Sequence, residues 1–115
     1  MEGLGLERLR KLARWKDYAW YIVEAARRLY PESRVYLVGS VAEGTYTSSS
    51  DIDVLVVVPG SPGPDELAKA RLRLWDEAAR LGIPWDNPVN LLVVGEHQAE
   101  EFLSRTRKHV KLWPN

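Results

Sequence analysis

The stretch that most constrains this chain is residues 35–58, which read VYLVGSVAEGTYTSSSDIDVLVVV. The pattern predicts a strand, a tight glycine turn, a polar loop and a second strand. Asp51 and Asp53 open the second strand. Because side chains two residues apart on a strand point to the same face, we expect the two carboxylates to lie side by side. The continuous apolar run at 54–58 is typical of a strand covered on both faces.

The carboxylate pair and the Gly-Ser turn together indicate phosphate chemistry. Ionised carboxylates placed side by side repel each other, and a hard divalent cation such as Mg²⁺ removes that repulsion. Gly39 and Ser40 close the first strand with backbone N–H groups and a hydroxyl, which are groups that hold a phosphate. The sequence therefore predicts a Mg²⁺ site at Asp51 and Asp53 opposite a phosphate cradle, as nucleotide chemistry requires.

These residues also resemble the signature of the minimal nucleotidyltransferases in the DNA polymerase β superfamily. That family has a hydrophobic strand, Gly-Ser, a loop of similar length and an Asp-hydrophobic-Asp-hydrophobic strand. Here Gly39-Ser40 is followed by ten residues and then by Asp51-Ile52-Asp53. The resemblance implies an α/β (α+β) fold of the polymerase β palm type. Such a fold has a mixed sheet of three to four strands, with helices mainly on one face. To this the apolar periodicity of the chain adds a long N-terminal helix.

The resemblance implies an activity and partners as well. The activity is Mg²⁺-dependent transfer of a nucleoside monophosphate, AMP from ATP, to a hydroxyl acceptor. Ser40 and the backbone of Gly39 would bind the β- and γ-phosphates. Members of the family commonly work with a partner, often an all-helical HEPN protein, and they include antitoxins that adenylylate a tyrosine of a HEPN toxin.

The chain departs from the family pattern at the third carboxylate of the site. That acid usually stands on the third strand, at a position that strand phase equates with Asn90, where it helps to hold the metal that activates the attacking hydroxyl. Asn90 keeps a carbonyl oxygen but has no charge and cannot act as a base. Val41 and Glu43 stand where the family often has arginines. Asp86, if its loop folds back, or Glu43 could supply the missing ligand.

Two hypotheses of different classes follow. In the first, the chain is an enzyme whose catalytic residues are Asp51, Asp53 and Asn90, with Asn90 lining the acceptor side. In the second, it is a catalytically impaired binding module that holds a nucleotide, or caps a helical partner, without turnover. The acid pair and its Gly-Ser turn favour the enzyme, whereas Asn90, Val41 and Glu43 favour the module.

Composition argues against several other classes of protein. The 115 residues carry 16 basic and 16 acidic side chains, so the zero net charge disfavours a general nucleic-acid-binding protein or a small RNA-binding fold. The absence of cysteine excludes disulfides and thiolate metal sites. No apolar run approaches the roughly 18 residues of a membrane span, and no signal-peptide pattern opens the chain. We therefore expect a cytoplasmic protein.

The chain as a whole predicts one nucleotidyltransferase domain over residues 1–115, with an N-terminal helix at 1–30 and a palm core at 34–115. Two apolar stripes cover that helix, a wider surface than the roughly 100° stripe of an ordinary surface helix. The helix is either wedged between the sheet and the last helix, or its second stripe faces a HEPN-type partner or another copy of the chain. The stripes are Leu12, Trp15, Ala19, Ile22, Ala26 and Leu29, and Leu9, Ala13, Trp20 and Val23.

The remaining elements follow from apolar periodicity and from turn residues. The pattern predicts, in order, a strand at 34–39, a helical turn at 41–44, a helix at 65–81 capped by Gly82, a strand at 89–94, a short helix at 95–105 and an edge strand at 110–113.

Overall fold

The computed structural model describes residues 2–115, so Met1 of the predicted N-terminal helix lies outside the described residues. Helices and strands follow one another along the whole of this range. In chain order they are α1 (Glu2–Ala13), α2 (Trp15–Leu29), β1 (Arg34–Val38), α3 (Gly39–Glu43), β2 (Ile52–Val58), α4 (Pro64–Leu81), β3 (Val89–Gly95), α5 (Glu96–Ser104) and β4 (Val110–Trp113). From β1 onward, their bounds agree with the predicted elements to within two residues.

A four-stranded sheet in the order β3-β2-β1-β4 forms the centre of the fold. β1 runs antiparallel to β2 and β4, whereas β2 and β3 are parallel, so the sheet is mixed as predicted. β2 is an interior strand, and its apolar residues from Val54 to Val58 are all buried. The parallel pairing brings the beginnings of β2 and β3 to the same edge of the sheet.

The helices cover the two faces of the sheet unequally. Because successive side chains of a strand alternate between faces, β1 and β2 contribute to two separate cores. The larger core lies under α2 and α4 and includes the buried side chains of Ile22, Val35, Val54, Val56 and Leu74. The smaller core lies under α5 and includes Tyr36, Leu55, Val57 and Ala99. Helices are therefore mainly on one face, which confirms the predicted architecture.

The prediction of one uninterrupted helix over residues 1–30 is wrong, because the segment forms two helices that meet at Arg14. Arg14 has φ −96° and ψ 29°, outside helical values. Its carbonyl accepts a hydrogen bond from the N–H of Asp17 at 3.0 Å, so the chain turns tightly there. The two halves have different partners: α2 packs on the sheet, whereas Arg8 and Lys11 of α1 contact the loops before β2 and β3.

The two apolar stripes of this segment differ in burial. Leu12 and Ile22 of the first stripe are fully buried in the larger core, whereas Trp20 of the second stripe is 51% exposed. α2 packs against the sheet and α4, and the last helix, α5, covers the opposite face. The second stripe is therefore not covered by the last helix. In the range 2–115, none of the helices is long and apolar enough to cross a membrane.

Candidate active site

The side chains predicted to form the site meet at one edge of the sheet. Asp51 lies directly before β2 and Asp53 lies within it. In the parallel register of β2 and β3, Asn90 stands directly opposite Asp53. On the other side, β1 ends beside Asp53 and is followed at once by Gly39 and Ser40 of α3. The sheet thus places all five residues at the same edge.

Asp53 is the central and more buried carboxylate of the pair. Its Oδ1 accepts a hydrogen bond from Nδ2 of Asn90 at 3.0 Å. Burial raises the pKa of the Asp53 carboxyl, and the charge of Asp51 acts in the same direction, while the hydrogen bond from Asn90 acts against them. The ionised form of Asp53 is therefore held at a cost, which a bound cation would relieve.

Gly39 allows the backbone to pass directly beside the Asp53 carboxyl. Its φ of +74° lies in the left-handed region that glycine adopts readily. A Cβ built on Gly39 would collide with Oδ2 of Asp53. Gly39 is therefore required both for the turn and for the close approach. The helical turn predicted after Ser40 is confirmed as α3, which ends at Gly44 in the left-handed conformation.

Asp51 is more open, and its side chain is 53% exposed. Its Oδ1 accepts a hydrogen bond from Nη2 of Arg8 at 2.6 Å, and the same nitrogen lies 2.8 Å from the carbonyl oxygen of Ser50. The sequence analysis did not identify Arg8. Residue 8 precedes Asp51 by 43 positions, and no local spacing connects them; only the docking of α1 brings them together.

The structure does not bring Asp86 or Glu43 into the acid pair. Nζ of Lys11 lies 3.0 Å from Oδ2 of Asp86, and this hydrogen bond lowers the pKa of the Asp86 carboxyl. Within the described residues, no three acidic or histidine side chains are grouped so that they could hold a metal ion together. The suggestion that Asp86 folds back to supply a third ligand is therefore wrong, because Lys11 holds that carboxylate.

The residues at this edge nevertheless fit a hard divalent cation. Asp51 and Asp53 offer carboxylate oxygens, the ligand type that Mg²⁺ prefers, and Mg²⁺ commonly binds through one or two carboxylates together with waters and substrate phosphates. Burial raises the pKa of the Asp53 carboxyl, so a bound cation would favour its ionised form. The glycine turn leaves the approach to that carboxylate free of side-chain atoms from residue 39.

Comparison with known proteins is consistent with this geometry. Residues 21–108 match the family model described as a nucleotidyltransferase domain. The fold is similar to that of a protein from Sulfolobus solfataricus provisionally assigned as a nucleotidyltransferase, with 24% identity, coverage of 94% of this chain and 87% of that chain, and a TM-score of 0.67. A second structure with the same provisional assignment is 25% identical, covering 79% of this chain and 92% of that chain, with a TM-score of 0.54. No curated protein matches the chain.

Proposed function

Because the chain belongs to the nucleotidyltransferase domain family, we propose that it transfers a nucleoside monophosphate from ATP to a hydroxyl acceptor in the presence of Mg²⁺. One observation carries this proposal: Asp51 and Asp53 begin β2 at the sheet edge where β1 turns through Gly39 and Ser40. A pair of acidic oxygen ligands and a phosphate-binding turn are the two parts that such a transfer needs.

In the proposed reaction, the acceptor oxygen attacks the α-phosphorus of ATP. A new P–O bond forms, the bond from the α-phosphorus to the oxygen that bridges to the β-phosphate breaks, and pyrophosphate leaves. The hydroxyl proton passes to water. Mg²⁺ held by Asp51 and Asp53 would neutralise the charge that develops on the pyrophosphate. The N–H groups of the turn and the Ser40 hydroxyl would bind the β- and γ-phosphates.

Asn90 has a supporting role in this proposal. Its amide donates a hydrogen bond to Asp53 and so fixes that carboxylate against β3. Because an amide cannot take a proton, Asn90 would line the acceptor side without acting as a base. The acceptor hydroxyl would therefore have to attack the α-phosphorus with help from positioning and charge neutralisation alone.

The test follows labelled phosphorus from ATP into an acceptor in a lysate of the source cells. We expect label on the α-phosphate to be transferred and label on the γ-phosphate to leave with pyrophosphate. Asp53→Asn should abolish the transfer, whereas Asp76→Asn, which removes an exposed carboxylate on α4, should not. Transfer of the γ-label would show a phosphoryl transferase instead, and full activity of Asp53→Asn would contradict the proposed site.

A second candidate function is a nucleotide-binding module without turnover. It is favoured by the partners that the acid pair already has, since Arg8 contacts Asp51 and Asn90 takes the place of a third carboxylate beside Asp53. Such a module would bind ATP and Mg²⁺ but would leave the α-label on ATP. Changing both Asp51 and Asp53 to asparagine distinguishes an enzyme from a module that only binds a partner. The enzyme would lose transfer, whereas the partner-binding module would keep its affinity for the partner.

We further propose that α2 binds a helical protein of the HEPN type, as the family resemblance suggests. Support comes from half-exposed Trp20 and from a groove of about 280 Å³ beside it, which is also lined by Trp15, Val23 and Leu112. Trp20→Ala should weaken capture of an all-helical partner of this type, whereas Trp85→Ala, at a loop position that is 94% exposed, should not. Self-association lost in Trp20→Ala would identify a second copy of the chain instead.

A further inference from the structure

Arg8 occupies a position where it would compete with a cation for Oδ1 of Asp51. Its Nη2 lies 2.6 Å from Oδ1 of Asp51, which makes a short charge-assisted hydrogen bond. The same nitrogen also bonds the carbonyl oxygen of Ser50 at 2.8 Å. A guanidinium N–H and a divalent cation compete for the electron density of the same carboxylate oxygen, and their positive charges repel each other, so a metal ion that takes this oxygen would favour the release of Arg8.

Other contacts keep α1 docked when Arg8 leaves Asp51. Lys11, one helical turn further along, bonds Oδ2 and the carbonyl oxygen of Asp86 at 3.0 and 3.3 Å. At the other end of the helix, a Cβ added to Gly5 would stand 3.8 Å from Cβ of Ser48, so this turn passes close to the loop before β2. Leu12 anchors the helix in the core. A displaced Arg8 side chain would therefore remain at the edge of the site.

The turn on which the phosphates are proposed to lie has no positive charge of its own. α3 has the sequence GSVAE, in which Val41 is buried and Glu43 adds a negative charge. A triphosphate carries more negative charge than one divalent ion neutralises. Arg8 can supply the missing charge, because its side chain is 35% exposed and already lies at the acid pair.

We propose that Arg8 is a phosphate-binding residue that exchanges partners when substrate binds. In the free protein, its guanidinium pairs with Asp51. When the metal and a nucleoside triphosphate bind, the metal takes the carboxylate and the guanidinium turns to the phosphates. Arginine suits this exchange, because its planar group stays charged and binds carboxylates and phosphates in the same two-pronged geometry. The inference rests on the proposed function, since it requires a triphosphate at this edge.

The test relies on Arg8→Ala changing the affinities for two ligands in opposite directions. Binding of Mn²⁺ alone is measured from the electron paramagnetic resonance signal of the free ion, and binding of ATP with Mg²⁺ is measured by calorimetry. Arg8→Ala should bind Mn²⁺ several-fold more tightly, because the competitor is gone. It should bind Mg²⁺–ATP about tenfold more weakly, because a charged hydrogen bond to phosphate is lost.

Two further variants make the comparison specific. Arg8→Lys keeps the charge but loses the two-pronged geometry, so its affinity for Mg²⁺–ATP should lie between those of the wild type and Arg8→Ala. Arg10→Ala removes an exposed arginine from the same helix and should change neither affinity. Circular dichroism of each variant verifies that it is folded. If Arg8→Ala does not fold, Arg8→Lys still tests the exchange of Arg8 between Asp51 and the phosphates.

The outcomes separate this inference from the function on which it rests. If Arg8→Ala binds both ligands more tightly, Arg8 only blocks the site, and the exchange is wrong. Unchanged Mn²⁺ binding would show that Arg8 does not compete for Asp51, and this too overturns the exchange. If the wild type binds Mn²⁺ but not Mg²⁺–ATP, the proposed function fails for this chain and the exchange fails with it.

Discussion

Asn90 donates a hydrogen bond from Nδ2 to Oδ1 of Asp53 at 3.0 Å across the parallel pair of β2 and β3. This contact places a neutral amide at the position that strand phase aligns with the third acid implied by the family resemblance. The amide satisfies one oxygen of Asp53 without adding charge. The strength of cation binding at this edge should therefore depend directly on whether residue 90 is neutral or acidic.

Replacement of Asn90 by aspartate should strengthen metal binding. Asn90→Asp puts a third carboxylate opposite Asp53 and removes the amide donor. Repulsion among the carboxylates therefore rises in the metal-free protein, and a bound cation relieves more of it. We expect Mn²⁺ affinity to rise by about 10- to 100-fold, the range typical when a group that supports a metal site is changed. Calorimetric titration of both proteins measures the difference.

Gln98→Glu is the matched control for the added charge. Gln98 lies on α5, which covers the opposite face, and its Oε1 accepts a hydrogen bond from the N–H of Gly95 that a glutamate can also accept. Mn²⁺ affinity should therefore stay within about twofold of wild type, since this charge lies outside the site and is exposed to solvent. An equal rise in both variants would mean that net charge, and not position 90, controls binding.

Gly39→Ala should damage both stability and the site. The φ of +74° costs a residue with a Cβ about 1–2 kcal/mol, and the added Cβ would also collide with the Asp53 carboxyl. Gly60→Ala is the control, because Gly60 has φ +77° but open space around an added Cβ. Urea unfolding should show a larger loss for Gly39→Ala, and only this variant should bind Mn²⁺ more weakly. Equal losses would show that the contact with Asp53 has no effect.

The raised pKa of Asp53 predicts a stability effect with a definite sign. Between the ordinary carboxyl pKa of 3.8 and the raised value, the folded state binds more protons than the unfolded state, so the free energy of unfolding falls as pH rises through that window. Asp53→Asn removes this dependence. In metal-free buffer, the stability of Asp53→Asn relative to wild type should therefore increase from pH 3 to pH 7, as measured by urea unfolding. A relative decrease would contradict the burial of an ionised Asp53.

Two leucines on α4 test how the larger core supports the sheet. Leu74 is fully buried between α4 and the sheet, whereas Leu72, two residues earlier on the same helix, is 67% exposed. Leu74→Ala should lower the free energy of unfolding by about 2–5 kcal/mol, since it removes buried methyl groups and leaves a cavity. Leu72→Ala should change it by about 0.5 kcal/mol or less. Similar losses of unfolding free energy in the two variants would contradict the burial of Leu74 in the larger core.

The site features that could be predicted from the sequence are local ones. The two-residue spacing of Asp51 and Asp53, the turn at Gly39 and the phase of Asn90 on its strand all depend on neighbours within a few positions. Arg8 and Lys11 could not be predicted in the same way, because their partners lie 43 and 75 residues away and meet them only after α1 docks. Long-range ion pairs of this kind leave no periodic signal.

The break at Arg14 also had no sequence signal. The segment from Leu12 to Asp17 contains neither glycine nor proline, and its apolar spacing continues without interruption. Both halves contribute to the larger core, but Arg8 of α1 also contacts the loop before β2, whereas α2 packs on the sheet. Packing therefore overrides local helix propensity at this point.

The most direct test of the central claim is a calorimetric titration of ATP into the wild type and into the double variant of Asp51→Asn with Asp53→Asn, each with and without Mg²⁺. The account predicts that the wild type binds ATP only when Mg²⁺ is present and that the double variant loses this metal-dependent binding. No binding to the wild type at millimolar ATP, or equal binding in the double variant, would contradict a metal–nucleotide site at this edge of the sheet.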